Sequence, residues 1–281
     1  MSKTSRWISV GELAEAFSPR SNTPAPTEDL VGETVELHLE SGQTVAHRFE
    51  AGCRLFWEIT SGRRQTRAAE RAAEENCFTA KVREGIYFVD FIKHLEQATT
   101  VTLILDLNAA ITTVLVARLP DESEPRWSLA ERIVRGQELT AVSATFLRGS
   151  IGSPFGRGTP RHEPTTDLVG RRVEYTYSPT ERYEHIYLNE DFYTWHCLSG
   201  SEKGLADTDR CHCYKLADNL YFFVWREKIV PTLGAVVVDF DQMRTVGKIF
   251  GYREAGTVES PKLSNFPVGA HARLLNVTTG D

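Results

Sequence analysis

Two stretches of the chain carry one pattern in one register. Asp29-Leu30-Val31-Gly32 recurs as Asp167-Leu168-Val169-Gly170, and stepping forward without a gap sets Val35-Glu36 over Val173-Glu174, His47 over His185, Trp57 over Trp195 and Ser61-Gly62 over Ser199-Gly200. Further on, IYFVDF (Ile86 to Phe91) falls over LYFFVW (Leu220 to Trp225), and TLILDL (Thr102 to Leu107) over AVVVDF (Ala235 to Phe240). A chance match does not hold one frame over some thirty residues, as the run from Asp29 to Gly62 does. The chain therefore reads as an internal duplication, two copies of a unit of about ninety residues, which is an ordinary domain size.

What each copy folds into follows from its short apolar runs. In the second copy these are VEYTY (Val173 to Tyr177), YEHIYL (Tyr183 to Leu188), FYTWHCLSG (Phe192 to Gly200), CHCYKL (Cys211 to Leu216), LYFFVWRE (Leu220 to Glu227) and GAVVVDF (Gly234 to Phe240). They are rich in β-branched and aromatic residues and are bounded by Asn, Asp, Pro or Gly, as consecutive antiparallel strands are. Turn residues at a steady spacing predict an up-and-down meander that closes into a small barrel. The expected layout is an N-terminal helix and linker over 1–28, a first barrel over 29–120, a helix and extended connector over 121–166, a second barrel over 167–255, and a C-terminal strap over 256–281.

Outside these runs the signals are local. Ser9-Val10-Gly11-Glu12 and Ser128-Leu129-Ala130-Glu131 have capping-box spacing and predict two short helices, the first ended by Pro19. Arg63 to Asn76, rich in alanine and alternating charge, predicts a further helix, either a lid over a barrel mouth or a solvated spacer. A net charge of −6 with both signs interspersed offers no basic stripe to a nucleic acid or an anionic membrane. No apolar run reaches the ~18 residues of a membrane span, and Met1 to Val10 lacks a signal-peptide core. Five cysteines, an odd number in a chain of this size, predict free thiols in a reducing cytoplasm.

Strand parity locates the candidate chemistry. Tyr175 and Tyr177 share one strand face, and Tyr221, Phe223, Trp225 and Glu227 share another. If those faces line a lumen, the result is an apolar pocket with phenol hydroxyls and a carboxyl of raised pKa, an arrangement suited to acid-base work. The bland alternative is a core filled by its own aromatics, with Glu227 paired to Arg226 or Lys228 at the rim. His185 lies on the face of Tyr183 and Tyr187, and its counterpart His47 favours a structural role over that of a base. The Cys211-His212-Cys213 run invites a metal reading, but alternation turns His212 away from both sulfurs and no second ligand pair accompanies it, so neither a metal nor another cofactor is expected. At the positions of Tyr175, Tyr177 and Glu227 the first copy has Leu37, Leu39 and Lys93, which makes the first barrel a scaffold or dimer-like half unless a different pocket forms there around His47 and Glu58.

The run DLVGRRVEYTYSPTERYEHIYLNEDFYTWHCLSG, with EKGLADTDRCHCYKLADNLYFFVWREKIVPTLGAVVVDF and GKIFGY, resembles the MoaF family, named for an association with molybdenum cofactor biosynthesis. The repeated DLVG is consistent with that family's two-domain layout. The second barrel is also similar, more distantly, to the phenolic acid decarboxylases, cofactor-free calycin-like barrels with a Tyr-x-Tyr on the opening strand and a Trp-x-Glu on a later one, matched here by Tyr175-Thr176-Tyr177 and Trp225-Arg226-Glu227. That resemblance implies tyrosines and an arginine holding the substrate while the glutamate donates a proton as carbon dioxide leaves. The sequence departs from the pattern at the arginine, whose place falls near Gly204 or Leu205, with Lys203 and Arg210 the closest substitutes.

Together these readings predict an all-β protein of two tandem calycin- or lipocalin-like antiparallel barrels joined by short helical connectors. The second barrel is expected to bind an aromatic, conjugated or pterin-like small molecule and to perform cofactor-free acid-base chemistry of lyase, decarboxylase or isomerase type. Glu227 would pass the proton, Tyr175 and Tyr177 would orient the ligand, and His185, Trp195, Tyr221, Trp225, Arg210 and Lys203 would line or support the site. The alternatives are a non-catalytic accessory of pterin or molybdenum cofactor metabolism and an interaction module. Homo-oligomerisation is compatible with all three.

Overall fold

Each alternating run of the two copies becomes a strand in the computed structural model, which describes residues 6–62, 71–120, 127–254 and 262–278. The architecture is all-β, with two short helices among the described residues, α1 (Val10–Phe17) and α2 (Leu129–Val134). Both helices begin at the serines their capping boxes predict, Ser9 with Glu12 and Ser128 with Glu131. None of the described helices is long and apolar enough to cross a membrane. All five cysteines are free thiols.

The chain divides into two compact units, one of Pro24–Arg118 with Ala144–His162, the other of Met1–Thr23, Leu119–Ser143 and Glu163–Asp281. In the first, β1 (Thr34–Leu39), β2 (Thr44–Glu50), β3 (Arg54–Ser61), β4 (Ala72–Arg83), β5 (Ile86–Ile92), β6 (Thr99–Asp106), β7 (Ile111–Arg118) and β8 (Ser143–Ile151) form a closed barrel. The last strand returns antiparallel to the first, with Leu37 opposite Ile151. Gly149 makes this closure: a Cβ there would lie 2.9 Å from Thr112 Cγ2 and 3.0 Å from the His38 carbonyl oxygen. The interior is aliphatic, built from Leu37, Leu55, Val89, Leu103 and Leu105 around His47 and Trp57.

In the second unit, a two-residue β9 (Glu163–Pro164) adds to the edge of a barrel made of β10 (Arg171–Thr176), β11 (Arg182–Tyr187), β12 (Phe192–Ser199), β13 (Ala206–Ala217), β14 (Leu220–Glu227), β15 (Thr232–Asp239), β16 (Arg244–Tyr252) and β17 (Leu263–Val277). Pairing of β12 with β13 completes the ring. The duplication extends to the register. Val35 faces His47 as Val173 faces His185, and His47 faces Trp57 as His185 faces Trp195. The bulges repeat too, between Thr44 and Val45 as between Arg182 and Tyr183, and between Lys81 and Arg83 as between Lys215 and Ala217.

Three sequence expectations change. The supposed connector contains β8, and the supposed C-terminal strap is β17, hydrogen-bonded to both β10 and β16. Few of the side chains of β17 are large and apolar, and Pro267 sits mid-strand opposite Lys248, so neither a run nor an alternation announced it. The helix expected over Arg63 to Asn76 is not formed at its end, because Ala72 to Asn76 belong to β4, paired with β3; residues 63–70 lie outside the described residues.

Candidate functional site

The N-terminal segment closes one mouth of the second barrel. Phe17 of α1 packs 4.8 Å from the Tyr177 ring and 5.7 Å from Tyr183, and Trp7 meets Trp195 edge-on at 5.5 Å. Close approach is possible because β16 presents Gly251, where a Cβ would fall 2.2 Å from Val10 Cγ2. Under the helix a cavity of about 40 Å³ remains. Its walls come from Trp7, Ile8, Val10, Leu13 and Phe17 on one side and from Tyr177, Tyr183, His185, Tyr193, Trp195, Glu202, Trp225, Glu227, Val230, Thr232 and Ile249 on the other. That volume admits water, whereas a cavity of about 150 Å³ is what holds a benzene ring. The hollow lumen expected from strand parity is therefore mostly filled, and a ring-sized ligand enters only when α1 moves.

Below the cavity the barrel is packed with aromatics. Tyr175 and Tyr187 join hydroxyls at 2.8 Å, and Phe223 lies 4.9 Å from Tyr187 and 5.1 Å from Tyr193. Burial raises the pKa of Tyr175 and Tyr177, so both phenols keep their protons. His185, enclosed between Tyr175 at 4.8 Å and Tyr193 at 5.0 Å, is pushed down by burial to about 3 and is neutral.

Glu227 ends β14 on the lumen side and lines the cavity. Its Oε1 accepts the Trp225 indole N–H at 3.0 Å. Withdrawal from water raises its pKa well above the ordinary value, and the charges of Asp209 and Glu202 add to the effect. The rim pairing considered from sequence does not form. Arg226 binds Glu138 at 2.7 Å, and Lys228 pairs with Asp207 and, at 3.2 Å, with Asp209. Trp195 donates its N–H to Asp209 at 3.1 Å, tying the cavity wall to that pair.

A second carboxyl faces the same cavity. Glu202, in the turn between β12 and β13, accepts the Tyr183 hydroxyl at 3.1 Å and is pushed up by burial to about 6. Sequence reading missed it because it sits in a Ser-Glu-Lys-Gly turn that reads as solvated, where strand parity says nothing. Tyr193 was also missed as a site residue, although parity with Trp195 could have found it; it is fully buried and its hydroxyl has no hydrogen-bond partner.

Of the residues singled out from sequence, the structure gathers Tyr177, His185, Trp195, Trp225 and Glu227 at the cavity and leaves four elsewhere. Tyr175 lies beneath it, bonded to Tyr187. Tyr221 sends its hydroxyl to Asp167, 3.2 Å away at the start of the DLVG turn. Arg210 points outward to Glu138 at 3.1 Å and Asp191 at 2.7 Å, as its place beside inward-facing Cys211 requires. Lys203 is exposed and absent from the cavity wall. Among the described residues no Lys or Arg lines this cavity, so the grip on a substrate carboxylate that the decarboxylase resemblance implied has no counterpart among them there.

The sequence matches the MoaF N-terminal domain over residues 5–121 and the MoaF C-terminal domain over residues 162–278. It is 40% identical over 278 residues to Protein MoaF of Klebsiella aerogenes, an alignment covering 99% of this chain and 98% of that protein. A solved structure from Burkholderia vietnamiensis, provisionally named a beta-lactamase, aligns with 39% of this chain and 96% of its own at 13% identity and a TM-score of 0.32, too low to bear on either fold or function. Two domain matches in the order of the two barrels, with a relative aligned almost end to end, show that the chain belongs to the MoaF family.

Proposed function

We propose that the second barrel is a closable chamber for a small organic molecule, in which Glu227 passes a proton without a cofactor. What carries this reading is a lumen-facing carboxyl held by an indole N–H, with no described Lys or Arg in the cavity wall and other carboxyls nearby. Such a group holds its proton to higher pH than an exposed carboxyl does and can release it to a bound substrate, which is the requirement for a general acid. Tyr177 and Tyr193 present hydroxyls to the same space, and α1 covers it, leaving room for little more than water. Lyase or isomerase chemistry on an aromatic or conjugated molecule in the cytoplasm fits these groups.

A binding role without turnover, as an accessory in the molybdenum cofactor context of the family's name, uses the same chamber. It is favoured by the modest inventory of the wall, which holds carboxyls, phenols, the Thr232 hydroxyl and a neutral imidazole. One experiment separates the two readings. Wild-type and Glu227→Gln proteins are incubated with a metabolite extract and followed by mass spectrometry. Depletion of a compound by the wild type alone supports proton transfer; retention of the same unaltered ligand by both proteins supports carriage; no depletion and no retained ligand sinks the chamber.

A further inference from the structure

We infer that this chamber is built for an organic cation, a protonated amine on an aromatic or other apolar body, with the surrounding indoles as a cage and Glu227 as the counter-ion, its proton released to solvent when the cation binds. The inference rests on the chamber reading and adds the charge of its occupant.

The first support is an imbalance of charge. Among the described residues two carboxyls, Glu202 and Glu227, line the cavity and no Lys or Arg does. The nearby cations are engaged outside it, Arg226 and Arg210 with Glu138 and Lys228 with Asp207 and Asp209. An incoming anion would find no described cation in the wall to offset it, whereas a cation favours the ionised form of Glu227, whose proton leaves to solvent as the ion pair forms.

The second support is the wall itself. Trp195 and Trp225 bound the cavity from the barrel and Trp7 from the N-terminal segment. The negative faces of such rings attract a desolvated ammonium, and indole does so best. Tyr193 adds a fully buried oxygen with no partner of its own, and phenol oxygen accepts a hydrogen bond as readily as it donates one.

The third support comes from the first copy, which carries its own cation at the equivalent place. Lys93 occupies the position of Glu227, since Cys77 pairs with Phe91 as Cys211 pairs with Trp225. Its ammonium lies 4.7 Å from the ring centre of Trp57, the counterpart of Trp195, and is paired with Glu96. The aromatic wall thus already receives an ammonium in one barrel. The other barrel keeps the indole, exchanges the lysine for a carboxyl, and leaves the cation to come from outside.

Three probes of one size and differing charge test this on the full chain: benzylamine, benzyl alcohol and benzoate, followed by titration calorimetry at neutral pH. The expected order has benzylamine binding at least about tenfold more tightly than benzyl alcohol, with benzoate giving no measurable heat. Glu227→Gln should weaken benzylamine by about tenfold or more and leave benzyl alcohol unchanged. If benzyl alcohol or benzoate binds as tightly as benzylamine, the charge assignment falls while the chamber stands. If none binds, both fall. The comparison among probes needs no variant, so poor folding of Glu227→Gln would not protect the inference.

Discussion

Where the first barrel fills its interior with leucine and valine, the second uses phenols: Leu37, Leu39, Val45 and Leu55 stand in the places of Tyr175, Tyr177, Tyr183 and Tyr193. What the two keep in common lies in the frame. Asp29 accepts the Tyr87 hydroxyl at 3.3 Å and pairs with Lys81 at 3.1 Å; Asp167 does the same with Tyr221 at 3.2 Å and Lys215 at 3.3 Å. His47 is pushed by burial to about 4, as His185 is to about 3. Shared groups therefore describe how such a barrel is built, and groups present in one copy alone describe what that barrel does. On this basis Tyr221 is a fastening of the DLVG turn, and Tyr177, Tyr193, Glu202 and Glu227 are the residues that distinguish the second barrel.

The comparison can be broken at several places. The largest effect is expected at the plug. Phe17→Ala removes a buried ring, a change that costs about 3–5 kcal/mol in a core, and the loss should appear as undocking of α1. Hydrogen exchange should show the amides of Val10 to Phe17 losing protection while β14 and β15 keep theirs. Equal loss in those strands would make α1 part of the barrel core instead of its closure.

Exchanging the distinguishing charge comes next. Glu227→Lys gives the second barrel the ammonium of the first, which should fold over Trp195 and weaken benzylamine by about a hundredfold in calorimetry. The reciprocal Lys93→Glu sets a carboxylate beside Glu96 and removes the contact with Trp57, and should lower the stability of the first barrel by about 1–3 kcal/mol in denaturant titration. Unchanged benzylamine affinity in the first variant would break the equivalence of the two positions.

A smaller effect follows from pH. A carboxyl whose pKa is raised on folding keeps its proton where the unfolded chain has released it, so its contribution to stability falls as pH rises from the unfolded value of 4.5 through the folded one. Glu227→Gln removes that loss. Its stability relative to wild type should grow above pH 4.5 at up to about 1.4 kcal/mol per pH unit until the folded pKa is passed, and the difference should vanish in more acidic buffer. A gap independent of pH would show that Glu227 does not titrate as a buried acid. The smallest effects belong to the frame: Tyr87→Phe and Tyr221→Phe should each cost about 1 kcal/mol in denaturant titration, alike in the two barrels, and neither should alter probe binding.

Much of this was legible in the sequence because a strand has a period of two and a duplication repeats its frame. Parity put Tyr177, Trp225 and Glu227 on lumen faces, whereas Arg210 entered the expected site as a substitute for the decarboxylase arginine and in fact turns outward beside Cys211 to Glu138 and Asp191. Parity gives the face of a residue but not its depth, which is why Tyr175 and Tyr221 were grouped with a cavity they do not touch. Glu202 escaped because turns have no period. The strands β8 and β17 escaped because glycine and proline stand where a run of large apolar side chains is usually sought. The destination of α1 was hidden as well: it precedes the first barrel in the chain, yet its apolar face is buried against the second.

The most direct test is a carbon-13 NMR titration of the glutamate side-chain carboxyls in wild-type and Glu227→Gln proteins. One resonance, missing from the variant, should stay in the protonated position through neutral pH while the exposed glutamates have long since ionised. A Glu227 signal that titrates together with those surface carboxylates would mean that the acid at the centre of the second barrel is an ordinary, water-solvated group.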